Sequence, residues 1–298
     1  MTPTNAVRIC FIGFGEAGQA IASGLREAGT TSISAWDILF PGPEGERLRQ
    51  AGAGIGVRLA ASAADAVRSS DVVVSAVTAA ASLEAARSVA PHLTGQFFLD
   101  INSVSPGRKQ ETARELAAAR YVDVAVMAPV HPARHQTPML LAGPHAETVE
   151  PLLHELGMKA TCAGVEIGAA AAIKMVRSVM VKGLAALTQE CFIAARRAGV
   201  EERIIASLTQ SYPMIDWAKL ADYNLERMAT HGLRRAAEMR DVCETLESLG
   251  VEPALTRGTV IREQRSGDAR LKERFGGKVP EDRGAILDAL IEKGDGLV

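Results

Sequence analysis

Apolar residues in the first half of the chain come in short runs broken by glycine or polar positions. Val7 to Ile12, Ser32 to Trp36, Val57 to Leu59, Asp71 to Val77, Gln96 to Ile101 and Tyr121 to Met127 read as strands. Met139 to Ala142 and Lys159 to Cys162 are weaker strands. Gln19 to Ala28, a charged stretch ending near Ala51, and Ser62 to Arg68 carry helical spacing between them. Alternation of this kind predicts βαβ units and a mostly parallel sheet. After Gly164 the pattern changes. Glu166 to Ala198 has no proline and has glycine only at 168 and 183, so it predicts one long helix stopped by Gly199. Glu201 to Gln210, Ile215 to Ala229, Arg234 to Leu249 and Ala285 to Lys293 also read as helices. The charged stretch Arg262 to Arg274 reads as a solvated helix face or loop.

The break after the first strand carries chemistry. Gly13-Phe14-Gly15-Glu16-Ala17-Gly18 is a G-x-G-x-x-G that follows a strand and opens a helix. In that setting Gly13 permits the tight turn, Gly15 lets a pyrophosphate approach the backbone, and Gly18 lets helix and strand pack closely. The helix N-terminus then offers its amides to the phosphates. Asp37 ends the second strand, where a carboxylate hydrogen-bonds ribose hydroxyls and repels a 2′-phosphate. Ile38 and Leu39 follow it with no cation, so NAD is the expected cofactor and NADP the second choice. The readings set against this are a turn-capping role for Asp37 and a sulfonium-binding methyltransferase. The expected architecture is an α/β Rossmann domain over residues 1–165. An all-α substrate and dimerisation domain, 166–298, follows and begins with the long interdomain helix.

Composition narrows the partners. The 298 residues carry a net charge of -2, with 47% hydrophobic and 23% charged residues. Neither that balance nor any dense Lys/Arg run suggests nucleic acid. No apolar stretch approaches a bilayer span of roughly 20 residues. The N-terminus lacks the pattern of a secretory leader, so a cytoplasmic protein is expected. Cys10, Cys162, Cys191 and Cys243 are scattered, which suits reduced thiols and no metal cluster.

The order of motifs resembles the β-hydroxyacid dehydrogenase superfamily, which includes 3-hydroxyisobutyrate and 6-phosphogluconate dehydrogenases. The glycine fingerprint comes first. Asp100-Ile101-Asn102-Ser103 then matches an Asp-x-Ser-Thr segment near the nicotinamide, and Gly168 followed at Lys174 matches a Gly-x5-Lys. The resemblance covers about residues 7 to 200, and the helical remainder is similar to a phosphogluconate-dehydrogenase-like subgroup. It implies that Lys174 is the catalytic acid/base and that Thr78, Asn102 and Ser103 lie at the cofactor. It also implies substrate contacts from Met127, Arg177 and Ser178. Two departures stand out. The family's Asp-x-x-x-Ser-Gly-Gly becomes Met127-Ala128-Pro129 after Asp123, and Ser178 replaces the usual Asn. A changed substrate follows.

The residues support Lys174 on their own terms. Lys174, Arg177 and Ser178 fall within about 100° of a helix otherwise dominated by Ala, Met and Val. Burial in a cleft beside Arg177 would lower the amine pKa toward working pH and suit it to move a substrate hydroxyl proton. The alternative is a solvated surface lysine. His231, Arg234, Arg235 and Glu238 recur at helical spacing, and an arginine there could anchor a carboxylate-bearing substrate. They could equally form an internally paired helix face. His131 and His135 follow a strand expected to reach the nicotinamide, and either could orient substrate. Tyr212, Trp217 and Tyr223 read as core or subunit contact. The leading function is NAD(P)-dependent hydride transfer to or from a 2- or 3-hydroxy acid, in a homodimer. The competing functions are an imine or ketone reductase and a non-catalytic dinucleotide-binding protein.

Overall fold

The computed structural model describes residues 7–293, so most of the N-terminal stretch read for a leader lies outside the described residues. The chain forms two compact units, one through Lys174 and one from Met175.

The first unit alternates strands and helices. In order they are β1 (Ile9–Ile12), α1 (Glu16–Glu27), β2 (Ile33–Trp36), α2 (Glu46–Gly54), β3 (Arg58–Leu59), α3 (Ala63–Arg68) and β4 (Val72–Ser75). Next come α4 (Ser82–Val89), β5 (Phe97–Asp100), α5 (Pro106–Glu115), β6 (Arg120–Val126), β7 (Met139–Ala142), α6 (Ala146–Glu155) and β8 (Ala160–Gly164). One eight-stranded sheet runs in the order β3-β2-β1-β4-β5-β6-β7-β8. β1 to β6 are parallel, β7 is antiparallel to β6, and β8 is parallel to β7. Alternate residues of each central strand feed different cores. Ile9, Phe11, Val72 and Val74 pack on one side, and Cys10, Ile12 and Val73 on the other. A sheet covered on both faces needs apolar residues at successive positions, which is why these strands read as unbroken runs.

α7 (Ala169–Ala198) starts in the first unit and continues in the second. Its first residues belong with the sheet because Ala169 and Ala170 pack on Ala125 and Ala142. The second unit continues with α8 (Glu201–Ser211), α9 (Trp217–Ser248), α10 (Ala254–Asp268), α11 (Leu271–Arg274) and α12 (Arg283–Glu292). The fold class is therefore α/β, a Rossmann-type sheet unit followed by helices.

Two expectations are corrected. Residues 217–248 form one helix, not two. Gly232 does not stop it, because it is the contact point with α10, where its Cβ would lie 2.5 Å from Glu263 O. The charged 262–274 stretch is not simply solvated, since Glu263 is buried on Arg235 of α9 and buried Ser266 accepts from Gln189 of α7.

Candidate functional site

Strand order reverses between β1 and β4, the place where parallel sheets open a crevice at their C-terminal ends. Gly13 follows β1 there with φ +88°. A Cβ on it would lie 2.5 Å from Ala76 O, so only glycine fits against the end of β4. The Cβ position of Gly18 lies 2.8 Å from Gly13 O, which brings α1 close under the turn. Gly15 is different: nothing lies within 4 Å of its Cβ position, and α1 begins there with no side-chain cap. The first turn, Glu16, Ala17 and Gly18, thus leaves backbone donors beside open space. A cradle of that kind fits a pyrophosphate. Phe14 contributes backbone only, because its ring is fully buried edge-on to Phe11 and Phe40.

Asp37 ties this turn to β2. Its Oδ2 accepts from Phe14 N at 2.8 Å and its Oδ1 from Leu39 N at 3.0 Å. The carboxylate caps its own turn as well, and each oxygen retains a second acceptor position for a ribose hydroxyl. Ile38 beside it is 84% exposed and presents no cation.

The next strand ends are clamped together. Asn102 Oδ1 accepts from Val77 N at 2.8 Å, and its Nδ2 donates to Ser75 Oγ at 2.9 Å. The side chain is buried and engaged at both ends, so it holds the β4 and β5 loops in register. Thr78 is exposed just beyond β4, and Ser103 is half-buried beyond Asn102.

Beneath these loops lies a group that sequence reasoning missed. Lys109 of α5 is 1% exposed. Its Nζ lies 3.2 Å from Asp100 Oδ1 and 3.4 Å from Asp123 Oδ1, and it also donates to Asp100 O. Both carboxylates are fully buried. Asp100 Oδ1 accepts from Asn102 N at 3.0 Å, and its Oδ2 accepts from Tyr121 Oη at 2.8 Å. Burial, with Asp100 beside it, pushes the Tyr121 phenol pKa well up. Asp123 Oδ2 accepts from Ala171 N, in the first turn of α7, at 3.0 Å. The only available signal was Lys109 in register with Thr112 and Leu116, and the polar sequence of α5 concealed that helix altogether.

Lys174 is half-buried on α7, one turn past Ala171, and in the first unit. Gly168, with φ +100°, packs its Cα tightly on Pro106 of α5 just before that helix. Met127 is half-buried against the Ala125, Ala142 and Ala170 group. His131 is exposed, before a cis bond to Pro132. His135 is not an open loop residue. It wedges against Gly24 of α1 and Gly157, and its neighbour Arg134 pairs with Glu27 of α1. Burial, and then Arg134, hold the His135 pKa below the ordinary histidine value.

In the second unit Arg177 is exposed and Ser178 buried, with Lys182 Nζ 3.5 Å from Ser178 Oγ. Lys182 pairs with Glu238 at 2.8 Å, and Glu238 also takes exposed Arg234. His231 is half-buried. The four α9 positions do not share one environment, because Arg235 turns into the α9–α10 contact and pairs with Glu263 at 2.6 Å. Tyr212 and Tyr223 are exposed, and Tyr212 stands edge-on to Trp217 at 5.9 Å. The four cysteines are free, and burial pushes the Cys10 thiol up to about 12. Among the described residues no His/Cys/Asp/Glu group could hold a metal, and no helix is long and apolar enough to cross a membrane.

Residues 8–104 match a family described as NADP oxidoreductase coenzyme F420-dependent, and residues 195–265 match a domain of unknown function (DUF1932). A conserved hypothetical protein of Sinorhizobium meliloti 1021 is 37% identical, covers 98% of this chain and 99% of its own, and superposes with TM-score 0.76. The conserved protein MTH1747, described as structurally similar to 3-hydroxyacid dehydrogenases, is 30% identical over 89% of this chain and 99% of its own, with TM-score 0.72. The chain belongs to the β-hydroxyacid dehydrogenase-like superfamily. An uncharacterised 28.5 kDa protein of Methanothermus fervidus is a further relative, 25% identical over 256 residues, or 85% of this chain and 96% of that one. The β-hydroxyacid dehydrogenase-like superfamily is NAD(P)-binding, in keeping with the open cradle at Gly15.

Proposed function

We propose that this chain is an NAD(P)-dependent dehydrogenase acting on a 2- or 3-hydroxy acid or related alcohol, with Lys174 as general acid/base. The observation that carries the reading is the uncapped start of α1 beside the open Gly15 position, at the point where the sheet reverses its strand order. Gly13, Gly15, Glu16, Ala17 and Gly18 would hold the pyrophosphate, and Asp37 the adenosine ribose. With Asp37 and no cation at 38 or 39, NAD is favoured over NADP. Thr78, Asn102 and Ser103 would border the nicotinamide.

Bound dinucleotide supplies the hydride acceptor or donor. Lys174, half-buried and following a helix start fixed at the strand ends, takes the proton from a substrate hydroxyl during oxidation and returns it in reduction. Met127, Arg177, Ser178, His131 and His231 are proposed substrate contacts. Arg234 is the better anchor for a substrate carboxylate, because Arg235 is committed to Glu263.

The test is a thermal-shift titration with NAD, NADH, NADP and NADPH on wild type and Lys174→Ala. A panel of 2- and 3-hydroxy acids including 3-hydroxyisobutyrate is then followed by nicotinamide absorbance. Stabilisation of both proteins, with hydride transfer by wild type alone, is the expected result. Ligand at about 100 times its dissociation constant should add about 2.7 kcal/mol. No stabilisation by any of the four would sink the dehydrogenase reading. Dinucleotide binding with full activity in Lys174→Ala would remove the lysine from the chemistry.

A further inference from the structure

A buried lysine between two buried carboxylates needs a reason, because each ion loses its hydration and pairing returns that cost only with good geometry. Lys109, Asp100 and Asp123 are almost completely inaccessible, and Tyr121 adds a hydroxyl donor to Asp100. An apolar set of similar volume would fill the same space at less desolvation cost. What an apolar set could not do is accept a hydrogen bond from Ala171 N, one of the orphan donors at the start of α7. Asp123 does so at 3.0 Å, and its other oxygen lies 3.4 Å from Lys109 Nζ.

The start of α7 is located by two further contacts. Gly168 at φ +100° packs on Pro106, the first residue of the helix that carries Lys109. Ala170 is fully buried against Ala125 and Ala142. These contacts set where the helix begins, and a carboxylate on its N-terminal amide adds a directional and dipole-favourable restraint. Lys174 is three residues past Ala171 and inherits that position. Lys109 also steadies Asp100, which holds Asn102 and through it the Val77 amide. One cation therefore braces both the β4–β5 loops and the helix that carries Lys174.

We propose that Asp123, held by Lys109, is a positioning residue for Lys174. The proposal deepens the dehydrogenase reading and rests on it for the role of Lys174. Asp123→Ala removes the acceptor at Ala171 while leaving Lys109 paired with Asp100, whereas Asp123→Asn keeps a carbonyl acceptor there. Lys109→Met removes the brace. Two readouts are used on the full chain with NAD bound: amide hydrogen exchange along α7, and steady-state kinetics with the best hydroxy acid of the panel.

The expected result for Asp123→Ala is faster exchange confined to the amides of residues 170–174. Its kcat should fall roughly 10- to 100-fold, the size of effect a 1 Å misplacement of a reacting group produces. NAD affinity should stay within about threefold, because its proposed contacts follow β1, β2, β4 and β5 and none lies on α7. Asp123→Asn should retain wild-type exchange and kcat within about threefold, since its amide still accepts the Ala171 bond. Lys109→Met should show the same exchange and kcat effects if it folds, with weaker NAD binding besides because Asp100 and Asn102 lose their brace, and the Ala/Asn pair carries the test if it does not. Unchanged exchange at residues 170–174 in Asp123→Ala overturns the proposal whether or not a substrate has been found. So does a kcat in Asp123→Asn as low as in Asp123→Ala. Full activity of Lys174→Ala strikes the dehydrogenase assignment instead, and is read independently of the exchange.

Discussion

Two glycines two residues apart, Gly13 and Gly15, have opposite physical roles. At Gly13 any side chain must adopt φ +88° and meet Ala76 O and Val77, so Gly13→Ala should lower stability by at least about 1–2 kcal/mol. At Gly15 the backbone is extended at φ -73° and the Cβ position is open. Gly15→Ala should therefore leave the thermal midpoint nearly unchanged yet weaken NAD(P) binding by at least roughly tenfold, or about 1.4 kcal/mol. Melting with and without dinucleotide separates the two effects, and a Gly15→Ala protein that binds normally would remove the pyrophosphate from that spot. At this scale the sequence was most informative about glycine. The spacing of 13, 15 and 18 named the turn, because backbone freedom is a property of the residue itself. Its motifs named Asp100 and Asp123, but it was silent on Lys109 and on the pairing of the three, which joins side chains separated along the chain and depends on which helix face is turned inward.

Between elements, the α9–α10 contact shows how packing overrides local preference. A glycine in mid-helix costs about 1 kcal/mol relative to alanine, so Gly232→Ala would stabilise an isolated α9. In the folded protein its Cβ would lie 2.5 Å from Glu263 O and 2.6 Å from Gly267 N, backbone atoms that cannot rotate aside. Gly232→Ala is expected to destabilise by about 1–3 kcal/mol net, measured by denaturant unfolding. The same contact buries Arg235 on Glu263, whose carboxyl is pushed up by burial and partly drawn back by Arg235. Arg235→Met leaves that charge without its partner and should cost about 3–5 kcal/mol, while Arg235→Met with Glu263→Leu should recover most of it. These helices explain the misread boundary at residues 230–233. Gly232 in that gap meets a neighbour's backbone instead of ending the helix.

For the whole molecule, a buried histidine governs the expected response to acid, and an exposed stripe is where the proposed homodimer is tested. His135 is held neutral by burial beside Arg134, with Glu27 opposing weakly, so the unfolded chain takes up its proton more readily than the folded one. Its contribution is present above the unfolded value of about 6.5 and is lost as pH falls through the lower folded value. The melting temperature should drop on acidification from about pH 7.5 to about pH 5.5, and less so in His135→Leu. Along α7, Ile173, Val176, Met180 and Leu187 are exposed at helical spacing, a stripe that would be covered in a homodimer. Met180→Glu with Leu187→Glu should shift the mass seen by light scattering from dimer to monomer, and a monomeric wild type would rule the dimer out. Taken alone, the sequence determined the alternation of strands and helices, the switch to an all-helical second half, the glycine turn after β1 and the long helix that carries Lys174. These rest on periodicity, glycine and short-range spacing, which are local. Only the tertiary structure decided that Asp123 reaches Ala171, that Arg235 belongs to Glu263, that His135 is a wedge, and that α9 runs unbroken. Each of these depends on which buried polar group meets which partner, and burial of charge is tolerated only where the completed fold supplies one.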